Sequence, residues 1–258
     1  MTNTFYKAFS SEQYKLSKNK ELFGVLLLPA LIIFAVDIYF IYGILTSGNE
    51  PGGGTMNPWK NMLGNTVFLF FYMLYPILIS IFVYACCDVE YKNNNYKILF
   101  TIPISKSKIF FSKALFILIT ILFSTVLSYL VFLLSGYFFS VAFPAIGFQN
   151  YDFREVIFYT FLKLYITLSS IAMIQLALSL VFRNFIYPIG FSVFMIIFSI
   201  VVNEKKFSDF IPYTGGFKSY ANLMTENILF ERLDYSNIAM TLVFIGLSFY
   251  LFVKKKGA

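Results

Sequence analysis

The chain contains no histidine, one tryptophan, and two cysteines side by side at Cys86 and Cys87. Without histidine there is no histidine-ligated zinc, no Ser-His or Cys-His nucleophile and no H-E-x-x-H protease helix. Adjacent cysteines rarely meet disulfide geometry, and one such pair builds no disulfide framework. Their place at the end of an apolar run reads as packing, with a lipidated or redox-active pair as the alternative. The run Gly215-Gly216-Phe217-Lys218-Ser219 has the outline of a phosphate loop. It fails the pattern G-x-x-x-x-G-K-[ST], because Phe217 stands where the second glycine belongs and no strand precedes it. The sequence thus predicts a protein that is not an enzyme, with no catalytic residues, no metal ligands and no cofactor of its own.

The elements that carry the remaining polar residues are almost all apolar. Of 258 residues 59% are hydrophobic, 21% aromatic and only 13% charged, and the mean hydropathy is +0.74. Soluble domains hold about a quarter charged residues, so this is a membrane protein. A bilayer core takes about 20 apolar residues in a helix. Six runs qualify, at about 22–45, 61–87, 109–140, 155–181, 185–202 and 235–253, within one transmembrane domain over 1–258. Pro29, Pro76 and Pro188 fall inside three of them, as kinks with or without a hinge role.

Two charges stand out deep inside these runs. Asp37 and Lys163 each lie about eight residues, roughly 12 Å, from the same end of their spans. A charge there must be paired, snorkelled or facing water. They either pair with each other or line the outer half of a substrate pathway; in the plainer alternative Lys163 snorkels outward and Asp37 faces a wet vestibule.

Lysine and arginine fix the orientation. Thirteen fall on one set of flanks, including Lys15, Lys92, Lys97, Lys108, Lys113, Arg183 and Lys254, against six on the other, where acids dilute them. Both termini are therefore expected in the cytoplasm, and the net charge of +7 reflects orientation and anionic-lipid attraction rather than nucleic-acid binding. Residues 1–21 place Phe5, Phe9 and Leu16 on one face, as an interfacial helix or a frayed basic tail. Lysine-heavy usage rich in Phe, Ile, Asn and Tyr points to an AT-rich bacterial genome, hence a bacterial cytoplasmic membrane. On the outer side, 203–234 carries Phe207, Phe210, Tyr213 and Phe217, and reads either as a re-entrant cap on an export path or as a loop folded on itself.

The polar stretch at 88–105 is more than a connector. Asp88 is placed to cap a short helix with Glu90 in its first turn. Pro103 ends that helix by forcing Ile102 out of helical conformation, and Ser105 is placed to cap the next span. Glu90, Asn93, Lys97, Leu99, Pro103, Ile104, Ser105, Lys108 and Ile109 form the pattern E-x-x-N-x-x-x-K-x-L-x-x-x-P-I-S-x-x-K-I. In this position the pattern resembles the first cytoplasmic loop of ABC-2 type permeases, and is most similar to the lantibiotic-immunity-like branch.

The resemblance implies an all-α polytopic fold of the type V exporter kind. It would have six transmembrane helices, an N-terminal interfacial helix, a cytoplasmic coupling helix and a re-entrant outer segment. It also implies a separate ABC ATPase subunit that holds ATP and Mg and docks on the coupling helix. Further implications are a second permease chain, the same or related, a membrane-lipid surround, and export of a hydrophobic or amphipathic cargo such as an antimicrobial peptide. The rival reading is a non-transporting membrane scaffold or sensor whose polar stretch docks a cytoplasmic partner.

Overall fold

Backbone groups in hydrocarbon must find their partners within their own segment, and the apolar runs accordingly fold as helices. The computed structural model describes residues 2–18, 20–47, 57–66, 71–91, 104–216, 218, 221 and 230–254. The helices are α1 (Thr2–Lys18), α2 (Lys20–Ser47), α3 (Pro58–Thr66), α4 (Leu74–Tyr91), α5 (Lys106–Ala142), α6 (Arg154–Val181), α7 (Ile186–Val202) and α8 (Arg232–Lys254). No strand occurs among the described residues, in line with the all-α expectation. By length and composition α5, α6 and α8 can each cross a membrane, and Gly24–Phe40 of α2 and the whole of α7 are shorter apolar helices.

Helix α6 is the centre of the bundle, packed against α4, α5, α7 and α8. In its most apolar stretch 72% of the residues are buried, against 17% in α8. Small and hydroxylic residues make this close approach possible. Thr160 and Ser169 donate to the Val156 and Tyr165 carbonyls one turn back, so their hydroxyls are satisfied without a partner helix. Thr120 and Ser128 of α5 do the same toward Phe116 and Ser124.

Polar bonds also cross between helices. The Tyr75 hydroxyl donates to Ser124 Oγ at 2.9 Å, and Ser124 in turn donates to the Leu26 carbonyl at 2.8 Å, which joins α4, α5 and α2. Tyr72 and Ser199 share a 2.9 Å bond beside the start of α4.

Three expectations are corrected here. The run at 61–87 is not one helix, since α3 and α4 are separated by a turn at Tyr72 and Met73. Pro76 therefore lies in the first turn of α4 and Pro188 in the first turn of α7, where a missing N–H costs little. Only Pro29 sits within a helix interior. Finally, Asp88 and Glu90 do not open a new helix; α4 runs through both to Tyr91.

The α3 end of the bundle is keyed by Trp59. Its indole Nε1 donates to the Phe148 carbonyl at 2.9 Å, and its ring meets Phe148 edge-on at 5.2 Å. A Cβ on Gly136 would lie 2.1 Å from the Trp59 ring, so the glycine in α5 is what admits it.

Candidate functional site

The permease-like pattern runs from Glu90 to Ile109, and residues 92–103 lie outside the described residues. Asn93, Lys97, Leu99 and Pro103 lie outside the described residues, so the site is defined by what anchors the two ends. Ile104 is half-buried and packs on the core. Ser105 occupies the N-cap position of α5 without a side-chain cap bond; its carbonyl instead accepts from Lys108 N at 3.0 Å and Ile109 N at 3.2 Å. Asp88 accepts from the Tyr84 hydroxyl one turn back at 3.3 Å. That same hydroxyl donates to the Arg183 carbonyl at 2.8 Å, which ties the α6–α7 connection to α4.

Glu90 is the pivot. Its carboxylate lies 2.7 Å from Lys113 Nζ of α5 and 3.0 Å from Lys15 Nζ of α1. Glu12 of α1 closes the square, 2.5 Å from Lys15 and 3.6 Å from Lys113. Lys113 is 1% exposed and also donates to the Cys86 carbonyl at 2.8 Å. Two acids and two bases cancel, which is the condition for burying charge at all.

Glu90 lies past the apolar stretch that ends at Cys87. Burial alone would raise its pKa, but the Lys113 and Lys15 ammoniums more than offset this and hold the carboxyl below its usual range. Acids in the last turn of a helix also oppose the helix dipole; the same two lysines compensate for that at Glu90. One turn from the cluster, Lys108 Nζ donates to Thr4 Oγ1 at 2.8 Å, a second tie between α1 and α5.

At the other end of the bundle Lys163 is fully buried against two acids of α8's N-terminus, Glu231 at 3.0 Å and Asp234 at 3.3 Å. Asp234 also accepts the Glu231 backbone N–H at 2.9 Å, half of a capping box that starts α8. Asp37 does not join them. It is buried on α2 beside Ser135, whose hydroxyl donates to the Phe132 carbonyl, and neither of its oxygens has a hydrogen-bond partner among the described residues. No ion pair joins Asp37 and Lys163 among the described residues; the lysine meets Glu231 and Asp234.

Of the outer-segment residues, Phe207 and Phe210 are exposed and Phe217 lies outside the described residues. Tyr213 is buried, and its hydroxyl accepts from Gln175 Nε2 at 2.8 Å. The glycine-lysine run that mimics a phosphate loop has packing duties instead. A Cβ on Gly215 would lie 2.6 Å from Thr167 Oγ1, and Lys218 pairs with Asp209.

Sequence reasoning gave no site role to Glu12, Lys113, Glu231 or Asp234, although Lys113 follows the permease-like pattern. Two of them left a trace. Glu12 falls on the same stripe as Phe5, Phe9 and Leu16, and Lys113 interrupts an apolar run within the first two turns of α5. A charge on an apolar stripe needs a partner on the surface that covers it.

Residues 8–199, about three-quarters of the chain, match the family described as ABC-2 family transporter protein. The chain belongs to that family. No curated protein matches it. As an ABC-2 family member it is a multi-pass permease subunit of an ABC transporter, and the family implies an ABC ATPase as its partner. The matched range contains the whole ionic cluster, Glu12, Lys15, Glu90 and Lys113, whereas Glu231 and Asp234 fall outside it.

Proposed function

We propose that this ABC-2 permease is the transmembrane half of an exporter in the lantibiotic-immunity-like branch. It moves a hydrophobic or amphipathic cargo, an antimicrobial peptide being the leading class, out of a bacterial cytoplasmic membrane. Two permease chains work with two ATPase subunits, which supply ATP and Mg. The chain crosses the membrane six times with both termini in the cytoplasm, and the segment at 203–234 re-enters the outer leaflet. In this arrangement residues 92–103 are the coupling segment that docks on the ATPase, and Asp37 and Tyr213 belong to the cargo pathway.

The observation that carries this reading is the placement of Glu90. It is the first residue of the permease-like pattern, and it is buried in a neutral square of charges that binds α1, α4 and α5 at the root of the segment. A docking segment so rooted passes a push from a partner into three helices at once. Glu90 therefore positions the segment rather than touching the ATPase, and the docking contacts fall to 92–103.

The test is purification of the complex from its native host, followed by ATPase assay with and without cargo. An ATPase chain should co-purify, its activity should respond to cargo, and Lys97→Ala or Glu90→Gln should weaken that response. A complex without a nucleotide-binding chain, together with unchanged transport in both variants, would return the protein to the scaffold reading.

A further inference from the structure

The α5–α6 seam holds a shallow apolar cavity of about 130 Å³ between Leu122, Val126 and Tyr129 of α5 and Phe158, Leu162 and Tyr165 of α6. Each set repeats at three or four residues, so each forms one stripe facing the seam. The stripes continue toward the α3 end through Tyr137 and Ser140 on α5 and Arg154 on α6. There the seam opens into a cleft of about 320 Å³ with a mixed lining, aromatic at Trp59, Tyr137 and Phe148 and polar at Gln149, Asp152 and Arg154. A purely apolar cavity and a cleft that carries polar and charged groups thus follow one another along α5 and α6, in the order of an amphipath's tail and head.

The bilayer sets the scale. Helix α6 has 28 residues, about 42 Å at 1.5 Å per residue, which is the thickness of a bilayer with its headgroup layers. Its first residue, Arg154, therefore stands at headgroup level, and the cavity lies in the hydrocarbon just beneath. The exposed Tyr137 marks the same level, as an interfacial aromatic does. The Arg154 guanidinium lies 6.0 Å from the Tyr137 ring centre, and its Nε is 3.7 Å from Asp152. That ion pair is 71% and 79% exposed, so solvent screens it and leaves guanidinium donors for a phosphate.

We infer that the α5–α6 seam is a binding site for an anionic phospholipid of the adjoining leaflet, with an acyl chain between Val126 and Phe158 and its phosphate on Arg154. No part of this rests on cargo, ATPase or the coupling segment; it requires only that α6 spans the membrane. Bound there, the lipid would wedge the outward ends of α5 and α6, the helix pair that also carries Lys113 and Lys163.

The full chain in nanodiscs, labelled with a phosphatidylglycerol probe bearing a diazirine on its acyl chain, tests this by peptide mapping. Crosslinks should concentrate in 122–129 and 158–165, and unlabelled phosphatidylglycerol should compete better than phosphatidylcholine. Arg154→Gln should lower that preference about tenfold, the size of one charge-assisted hydrogen bond. Val126→Trp, which fills the cavity, should remove the crosslinks, while Phe194→Trp on exposed α7 should leave them. Crosslinks spread evenly over exposed faces, an unchanged preference in Arg154→Gln, or displacement by an apolar peptide but not by phosphatidylglycerol would each overturn the assignment.

Discussion

Lys113 shows what a single charge does when water is removed from around it. Its ammonium is shared by Glu90, Glu12 and the Cys86 carbonyl, and no solvent stands in reserve. Lys113→Met leaves two buried acids with Lys15 as their only cation among the described residues and should cost about 3–5 kcal/mol, the range for a broken buried pair. Thermal unfolding of the detergent-solubilised protein would read this as a lowered midpoint. Adding Glu90→Gln to Lys113→Met removes the surplus charge and should recover most of the loss; a double variant no better than the single one would refute pairwise compensation.

The same geometry gives a pH dependence. Folding holds the Glu90 carboxyl below its ordinary value of about 4.5, so its contribution is complete above that value and is lost as pH falls through the lowered one. The acid limb of the stability curve should therefore be steeper in the native protein than in Glu90→Gln. One residue of this cluster was legible in the sequence. Glu90 stood out through its pattern, but its partners Lys15 and Lys113 are 75 and 23 residues away, and no local spacing rule connects them.

At the scale of elements, α2, α5, α6, α7 and α8 begin and end within three residues of the apolar runs, whereas the run at 61–87 spans parts of two helices. Its first residues include Asn61, Gly64, Asn65 and Thr66, which belong with Trp59 to α3, lodged against Phe148 and Gly136, while Tyr75 of α4 reaches Ser124. The prolines misled for a related reason. Pro76 reads as a kink only if the helix before it is continuous, and the turn at Tyr72 and Met73 makes it a first-turn residue.

This placement of α3 can be tested through its own reporter, since Trp59 is the chain's sole tryptophan. Emission should be that of a buried indole, because the residue is only 5% exposed. Gly136→Ala puts a methyl group 2.1 Å from the ring, which should displace it, shift emission to the red and destabilise the protein by about 1–3 kcal/mol, as overpacking does. Emission identical to that of the native protein would mean that α3 does not lodge against α5.

For the whole molecule, the decisive quantity is which end faces the cytoplasm, and two independent features converge on it. Basic residues concentrate at the end where α1, the close of α4 and the start of α5 meet, and the positive-inside rule sends that end inward. The ionic square lies at the same end and holds Glu90, the first residue of the stretch that, on the function proposed above, meets a cytoplasmic ATPase. On the six-crossing reading proposed above, Lys254 at the end of α8 shares that side.

The buried pair Cys86 and Cys87 can be replaced by alanine to give a background for single cysteines at exposed positions. In intact cells a membrane-impermeant maleimide should label Ala145→Cys and Glu204→Cys, and should reach Ser107→Cys, Asn184→Cys and Lys254→Cys only after permeabilisation. Labelling of Ser107→Cys in intact cells would invert the protein, and place the square of charges where no ATPase could use it. Labelling of Lys254→Cys alone would instead remove one crossing, break the match between the two termini, and confine the partner's reach to the first five helices.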